Sequence, residues 1–204
     1  MLKKDDKTKA QEVDPVKNSK DIQRIRQYLK GKENKRDYCL WVVGTNFLLR
    51  AGDLLRLKWS DVLENENNFK TYVRTQEEKT DKNRKIKMND DSKEALSLLK
   101  DTISNFNTNG FIFKSRKGSD SITVESLHKI IKTTLRELNI KGNYGSHTLR
   151  KTGAFKIYND NIQTNPAIIS YLQKILNHSS QATTLRYIGI EAQEIDDIFD
   201  NIKW

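Results

Sequence analysis

The segment from Tyr38 to Arg50 constrains the fold more than any other. Tyr38, Trp41, Val42, Thr45 and Leu49 recur at helical spacing as a broad apolar stripe. Such a stripe has to be buried, so a helix starting near Asn34 is placed at the centre of a core. The run Asn46-Phe47-Leu48-Leu49 then ends on Arg50, and the sequence predicts a break in the helix at Ala51-Gly52 before another turn through Asp53-Leu54-Leu55. A guanidinium at the rim of a core must be paired or must face a functional cavity. Asp53 and Asp61 are the nearby acids that could satisfy it as a plain salt bridge.

The remaining periodicity adds helices around this one. Ser19 reads as an N-cap, Ile22, Ile25 and Leu29 share a face, and Gly31 supplies the stop. Asp90 or Asp91 caps a helix whose inner face is Ala95, Leu96, Leu99 and Ile103. Thr123 caps another, carrying Leu127, Ile130, Ile131, Leu135 and Leu138, with His128 structural or exposed beside them. Asn165-Pro166 marks the start of a helix through Ile168, Tyr171, Leu172 and Ile175 to Leu176. Ile195, Ile198, Phe199 and Ile202 continue helical spacing in an acidic tail over 190–204. Strand signals are fewer. Residues 69–74 and 84–88 alternate apolar with charged, predicting a hairpin around a polar loop, and Phe111-Ile112-Phe113 reads as a short buried strand. The expectation is an α+β domain, mostly α-helical, with a small antiparallel sheet, occupying residues 19–204 behind a flexible polar arm over 1–18.

Charge indicates the partner. The formal net charge is +10, yet the tail holds Glu191, Glu194, Asp196, Asp197 and Asp200 against the single Lys203. The body is therefore more basic than the whole, which points to an anionic partner such as nucleic acid. Seven Lys or Arg lie between Lys70 and Lys87 against three acids. Lys82, Arg84 and Lys85 in this hairpin, the turn Lys114-Ser115-Arg116-Lys117, and Lys151 are the candidate DNA contacts. The alternative for such lysines is a solvated edge that resists strand pairing. The lone Cys39 cannot form an internal disulfide and suits a reducing compartment. No leader-like or membrane-spanning apolar run is visible, so a cytoplasmic protein is expected.

Two further stretches carry chemistry. In Gly145-Ser146-His147-Thr148-Leu149-Arg150, Ser146 can cap a helix whose first turn presents His147 and Arg150 on one face. A helix N-terminus with these side chains suits a phosphate. Leu176-Asn177-His178-Ser179-Ser180 precedes a short helical run ending in Arg186-Tyr187. Arginines bind nonbridging phosphate oxygens, histidines carry protons, and a tyrosine can form a covalent phosphoester if nearby cations or a base offset its pKa near ~10. His147 and His178 lack a third ligand at metal spacing, so neither a metal nor another cofactor is expected.

Taken in order, these blocks resemble the tyrosine recombinase (phage integrase) family, from about Ser19 to the C-terminus. Leu48-Leu49-Arg50-Ala51-Gly52-Asp53-Leu54 is similar to its first arginine box, Lys79-Thr80-Asp81-Lys82-Asn83-Arg84 to its lysine-bearing hairpin, His147-Thr148-Leu149-Arg150 to its His-x-x-Arg box, and Leu176 to Ser180 with Tyr187 to its last block. Leu48 and Asn177 stand where the family usually has glycine, Asp53 where it has glutamate, and Lys151 where it often has histidine.

The resemblance implies that Tyr187 attacks the scissile phosphate to form a 3′-phosphotyrosyl link, while Arg50 and Arg150 grip the nonbridging oxygens. It further implies that Lys79, with Lys82 the competing lysine on its loop, protonates the leaving 5′-oxygen. His147 would assist proton transfer at Tyr187, and His178 would hydrogen-bond the phosphate. Neither ATP nor metal would be needed. The implied partners are double-stranded DNA at specific sites, a homotetramer on DNA formed from monomers in solution, and accessory DNA-bending proteins. The tail would dock on a neighbouring subunit or on its own domain. With no separate core-binding domain, two readings stand: a compact recombinase like the fimbrial phase-variation invertases, or a detached catalytic domain. A DNA-binding accessory factor that does not recombine, and a related strand-passing or hairpin-forming enzyme, are the functional alternatives.

Overall fold

The computed structural model describes residues 12–190 and residue 202. The tail stripe at Ile195, Ile198 and Phe199, and the arm over 1–11, lie outside the described residues. Nine α-helices and four short strands follow in chain order among the described residues. These are α1 (Ser19–Gly31), α2 (Lys35–Phe47), α3 (Ala51–Leu55), α4 (Trp59–Val62), β1 (Leu63–Asn65), β2 (Asn68–Phe69), β3 (Tyr72–Gln76), β4 (Asn83–Lys87), α5 (Asp90–Lys100), α6 (Val124–Glu137), α7 (Thr148–Asn161), α8 (Ile168–Leu176) and α9 (Gln181–Tyr187). The strands make two separate two-stranded antiparallel sheets, β1 with β2 and β3 with β4. In the second, Val73 pairs with Ile86 and both turn inward, while Arg74 opposite Lys85 turns outward. No helix among the described residues is long and apolar enough to cross a membrane.

The core divides in two. The larger cluster surrounds α2, with Trp41, Val43, Phe47 and Leu49 meeting residues from α1, α5 and α6. The smaller one holds Leu48, Ala154, Ile168, Leu172, Leu176 and Ile188. Adjacent residues Leu48 and Leu49 thus enter different clusters, and so do Leu149 and Ala154 at the two ends of the first turns of α7. Arg50 and Arg150 emerge at the seam between them. Helices α2 and α7 cross closely because Gly153 has no side chain: a Cβ there would lie 1.9 Å from the Thr45 carbonyl oxygen. This contact brings the C-terminal end of α2 against the first turns of α7.

Several element ends depart from the sequence reading. The break after α2 falls at Leu48–Arg50 rather than at Ala51-Gly52, because Leu48 takes left-handed backbone (φ 52°) and Ala51-Gly52 open α3. An αL conformation in a leucine is strained by about 1–2 kcal/mol; burial of the Leu48 side chain in the smaller cluster offsets it. Asn18, not Ser19, caps α1, its side-chain oxygen accepting from the Lys20 and Asp21 amides. Asn89, not Asp90 or Asp91, caps α5, whereas Thr123 caps α6 as expected. Ser146 makes no cap. Instead Thr148 Oγ1 accepts from the Gly145 amide and donates to the Asp14 carbonyl. Helix α8 begins at Ile168, two residues past Pro166. Phe111–Phe113 is no strand, since Phe111 only bridges Lys58 and Lys114 bridges Ser121 around a turn. The expected strand at 69–74 is split between β2 and β3.

The polar arm expected over residues 1–18 does not hold for its last residues. Val16 is 2% exposed within the larger cluster. Its amide donates to Thr152 Oγ1 at 2.9 Å, and Lys17 Nζ donates to the Gly189 carbonyl at 2.5 Å. The buried side chains of Pro15 and Val16 and backbone hydrogen bonds to α7 strap this polar stretch across the end of the site.

Candidate active site at the seam of two cores

Arg50 follows the αL turn of Leu48, which turns the chain so that its guanidinium faces the hairpin instead of continuing along α2. It pairs with Glu77, not with Asp53 or Asp61. Glu77 is fully buried (0%) and also receives Arg84 Nη1 at 2.8 Å and Thr80 Oγ1 at 2.9 Å. Burial alone would raise its carboxyl, but the hydrogen bonds from Arg50, Thr80 and Arg84 outweigh that and hold it below the usual carboxylate range. Asp53 instead pairs with Arg56 at 2.5 Å and accepts the Glu78 amide at 3.1 Å, bracing the turn after Arg50 against the hairpin. Asp61 accepts the Lys58 amide.

Arg150 is 4% exposed, and its Nη2 donates to the Leu176 carbonyl at 3.0 Å. This ties α7 to the C-terminal end of α8. Asn177 next to it adopts αL backbone (φ 56°) as the C-cap, as asparagine can without a bulky side chain. The turn thereby delivers His178. Its Nδ1 lies 3.1 Å from Thr184 Oγ1, and its ring packs edge-on against Tyr187 with centroids 4.9 Å apart. Thr184 is fully buried and reaches back to the Ser180 carbonyl, so α9 orients the imidazole. The Ser180 side chain accepts from the Thr183 amide, which starts that helix.

The Tyr187 hydroxyl is buried and has no hydrogen-bond partner among the described residues, as does Arg150 Nε. Burial pushes the phenol up to about 12, with Glu12 adding to the rise and Arg150 and Arg50 opposing it. Desolvation, followed by the charges of Arg150, Lys151, Arg50 and Lys79, holds His147 below its ordinary value. His178 is lowered by desolvation and then by Arg150 and Arg50. Both shifts favour the neutral imidazole over the imidazolium. Arg50 and Arg150 thus act on His147, His178 and Tyr187 alike, and His178 packs directly on the Tyr187 ring.

The candidate DNA contacts separate. Arg84 joins Arg50 through Glu77. Lys82 Nζ reaches Asn177 Oδ1 at 2.5 Å, joining the hairpin loop to the turn before His178. Exposed Lys79, two residues beyond Glu77, makes no such bridge, yet its charge is felt at His147. Lys85 lies outside, over the Tyr72 ring at 4.1 Å. Lys114, Arg116 and Lys117 form a turn at the other end of α2, where Arg36 Nη1 donates to the Lys114 carbonyl. Thirteen helical residues put that turn about 20 Å from Arg50. Lys151 departs most from expectation: it is 3% exposed, paired with Glu12 at 2.5 Å and set 4.9 Å from the Tyr187 ring centre. It underlies the tyrosine and does not form a surface. His128 is half-buried against Gly145.

Sequence reasoning missed Glu77, Thr184 and Glu12. Glu77 entered only as one of three acids in a basic hairpin. Its inward position on β3's continuation, two residues before Lys79, was the available signal. Thr184 and Glu12 carried none, since their roles depend on contacts between distant parts of the chain. No group of three His, Cys, Asp or Glu among the described residues is arranged to hold a metal ion.

Residues 17–194 match the family described as the phage integrase family. A probable integrase/recombinase of Bacillus subtilis (strain 168), YoeC, is 35% identical over 180 residues, which are 88% of this chain and 91% of that protein. The XerA recombinase crystal structure is similar with a TM-score of 0.70 at 21% identity, over 96% of this chain and 66% of that one. The XerH site-specific recombinase, bound to a palindromic difH substrate in a post-cleavage complex, gives 0.69 at 17% identity, over 94% and 54%. A λ integrase (75–356) dimer bound to a COC′ core site gives 0.60 at 16% identity, over 87% and 60%. The chain thus spans about half to two thirds of these solved chains.

Proposed function

Since the chain belongs to the phage integrase family of tyrosine-type recombinases, we propose that it breaks and rejoins DNA through a covalent tyrosyl intermediate at the seam. The observation that carries this reading is the buried Tyr187 hydroxyl beside His178, with Arg50 and Arg150 acting on its ionisation. In the step proposed, the Tyr187 oxygen bonds to phosphorus and its proton passes to His147. The bond to the 5′-oxygen breaks, and Lys79 supplies the proton that makes a 5′-hydroxyl. Arg50 and Arg150 hold the nonbridging oxygens, where charge accumulates in the transition state. The phosphoester energy stays in the phosphotyrosyl bond, so rejoining by the reverse step needs no ATP, and the guanidiniums supply the positive charge a metal would otherwise provide.

Duplex DNA is the proposed substrate. The DNA-bound XerH and λ integrase structures support it, as do the chain's net charge of +10 and its basic hairpin. Assembly as a tetramer through a Holliday junction, and accessory DNA-bending proteins, belong to the same proposal. The test is incubation with nicked duplex carrying candidate sites, followed by denaturing electrophoresis for a protein–DNA adduct. An adduct that is absent in Tyr187→Phe and unaffected by EDTA supports the reading. Specific binding with no adduct on any site leaves a non-cleaving accessory role.

A further inference from the structure

We infer that Glu77 is a positioning residue of the cleavage reaction, locking Arg50 and the loop that carries Lys79 into one unit. The inference rests on the proposed cleaving role of the seam. Glu77 is the one fully buried carboxylate among the described residues, and its two oxygens are both committed. Oε1 accepts Arg84 Nη1, and Oε2 accepts both Arg50 Nη1 and Thr80 Oγ1. Its backbone is equally engaged: its amide donates to the Lys82 carbonyl at 3.0 Å, and its carbonyl accepts the Thr80 amide at 3.4 Å.

Each partner has a distinct consequence. Thr80 directly follows Lys79, so the Thr80 bond fixes the turn from which the lysine reaches towards the leaving oxygen. Arg50 uses Nη1 for Glu77, which leaves the Nε–Nη2 edge of its planar fork for a phosphate. Arg84 belongs to β4, so the carboxylate also clamps the second strand to the first at the mouth of the hairpin. A solvated glutamate could not do this, because water would compete for every bond. A buried one holds its partners in a single arrangement before the phosphate arrives, and such preorganisation accelerates the step instead of tightening ground-state binding. Glu77 touches neither the phosphate nor the leaving group in this scheme; it acts through Arg50 and Lys79.

The test compares wild-type protein with Glu77→Gln, which keeps the shape and removes the charge, and with Lys79→Ala. Binding is measured on uncleaved duplex, cleavage as a single-turnover rate at saturating protein, and folding by thermal melting. A second substrate carries sulfur in place of the leaving 5′-oxygen, whose departure as a thiolate needs no proton donor. For Glu77→Gln we expect binding within about threefold of wild type and cleavage slowed by about ten- to a hundredfold. The sulfur substrate should restore Lys79→Ala fully and Glu77→Gln in part, the remainder being the loss through Arg50. A folded variant cleaving at the wild-type rate overturns the inference. Parallel loss of binding, cleavage and melting temperature overturns it too, by showing a merely structural role. A cleavage defect that sulfur leaves untouched overturns the coupling to Lys79. If wild-type protein forms no adduct at all, the reading of the seam as a cleaving site fails instead.

Discussion

The two sides of the seam satisfy their polar groups differently. On the hairpin side, Glu77 meets Arg50, Arg84 and Thr80, and every one of its bonds is made within the protein. On the α7–α9 side, the Tyr187 hydroxyl and Arg150 Nε are buried without a partner among the described residues, while on the hairpin side one such atom remains, Asp53 Oδ2 in the turn after Arg50. A buried polar atom left unpaired costs about 1–3 kcal/mol, which a fold tolerates where function requires it. The comparison suggests a division of labour. Arg50 is fixed in advance by Glu77, whereas Arg150 and Tyr187 retain unsatisfied groups that, under the proposed function, a bound phosphate would complete.

Removing the paired node should have the largest effect. Glu77→Ala leaves the Arg50 and Arg84 guanidiniums facing each other without their shared anion. Breaking a buried pair costs about 3–5 kcal/mol; because both arginines are partly exposed, the lower end, ~3 kcal/mol, is expected in urea unfolding. Leu48→Gly comes next. It relieves αL strain of about 1 kcal/mol but empties a buried position in the smaller cluster. A net loss of about 2 kcal/mol is expected, with slower cleavage because Arg50 follows that turn. Tyr187→Phe should have the opposite sign. It removes an unpaired hydroxyl, so thermal melting should show a change between zero and about 1 kcal/mol of stabilisation while cleavage disappears. Should Tyr187→Phe destabilise the protein substantially, the hydroxyl is paired in solution and the contrast between the two sides collapses.

The smallest effect concerns pH. His147 and His178 have folded-state pKa values below their ordinary 6.5. As pH falls past about 6.5, the unfolded chain takes up protons before the folded one does, so stability declines through this window. Urea midpoints between pH 7.5 and 5 should fall, and the double variant His147→Gln, His178→Gln should flatten the slope. An unchanged slope would place both imidazoles in ordinary solvent and remove the desolvated character assigned to this side.

The residues proposed to react lie in short motifs whose spacing reflects local geometry, which is why the sequence could single them out. His147 and Arg150 share one turn of α7, and Tyr187 closes a helix that begins just after His178. The apolar stripes identified α1, α2, α5, α6 and α8, with errors mostly at their ends. Those errors have a common cause. Several side chains can cap the same helix, and only the turn geometry chose Asn18 over Ser19 and Asn89 over Asp90. The basic residues were the least legible. Lys151 and Arg84 look like surface charge in sequence, yet one lies under Tyr187 and the other on Glu77.

By itself, the sequence determined the mostly helical character, the basic body, the family resemblance and the identity of the arginines, histidines and tyrosine. These follow from periodicity, composition and motif order, which are local properties. The tertiary structure alone decided that the core divides between Leu48 and Leu49 and that both arginines emerge at that division. It also decided which acid faces Arg50. Asp53, Asp61 and Glu77 are chemically interchangeable partners, and the nearer two were committed elsewhere once Asp53 paired with Arg56 and Asp61 capped Lys58. Choice among equivalent charges depends on which of them the packed chain brings within about 3 Å, and spacing along the sequence does not encode that distance.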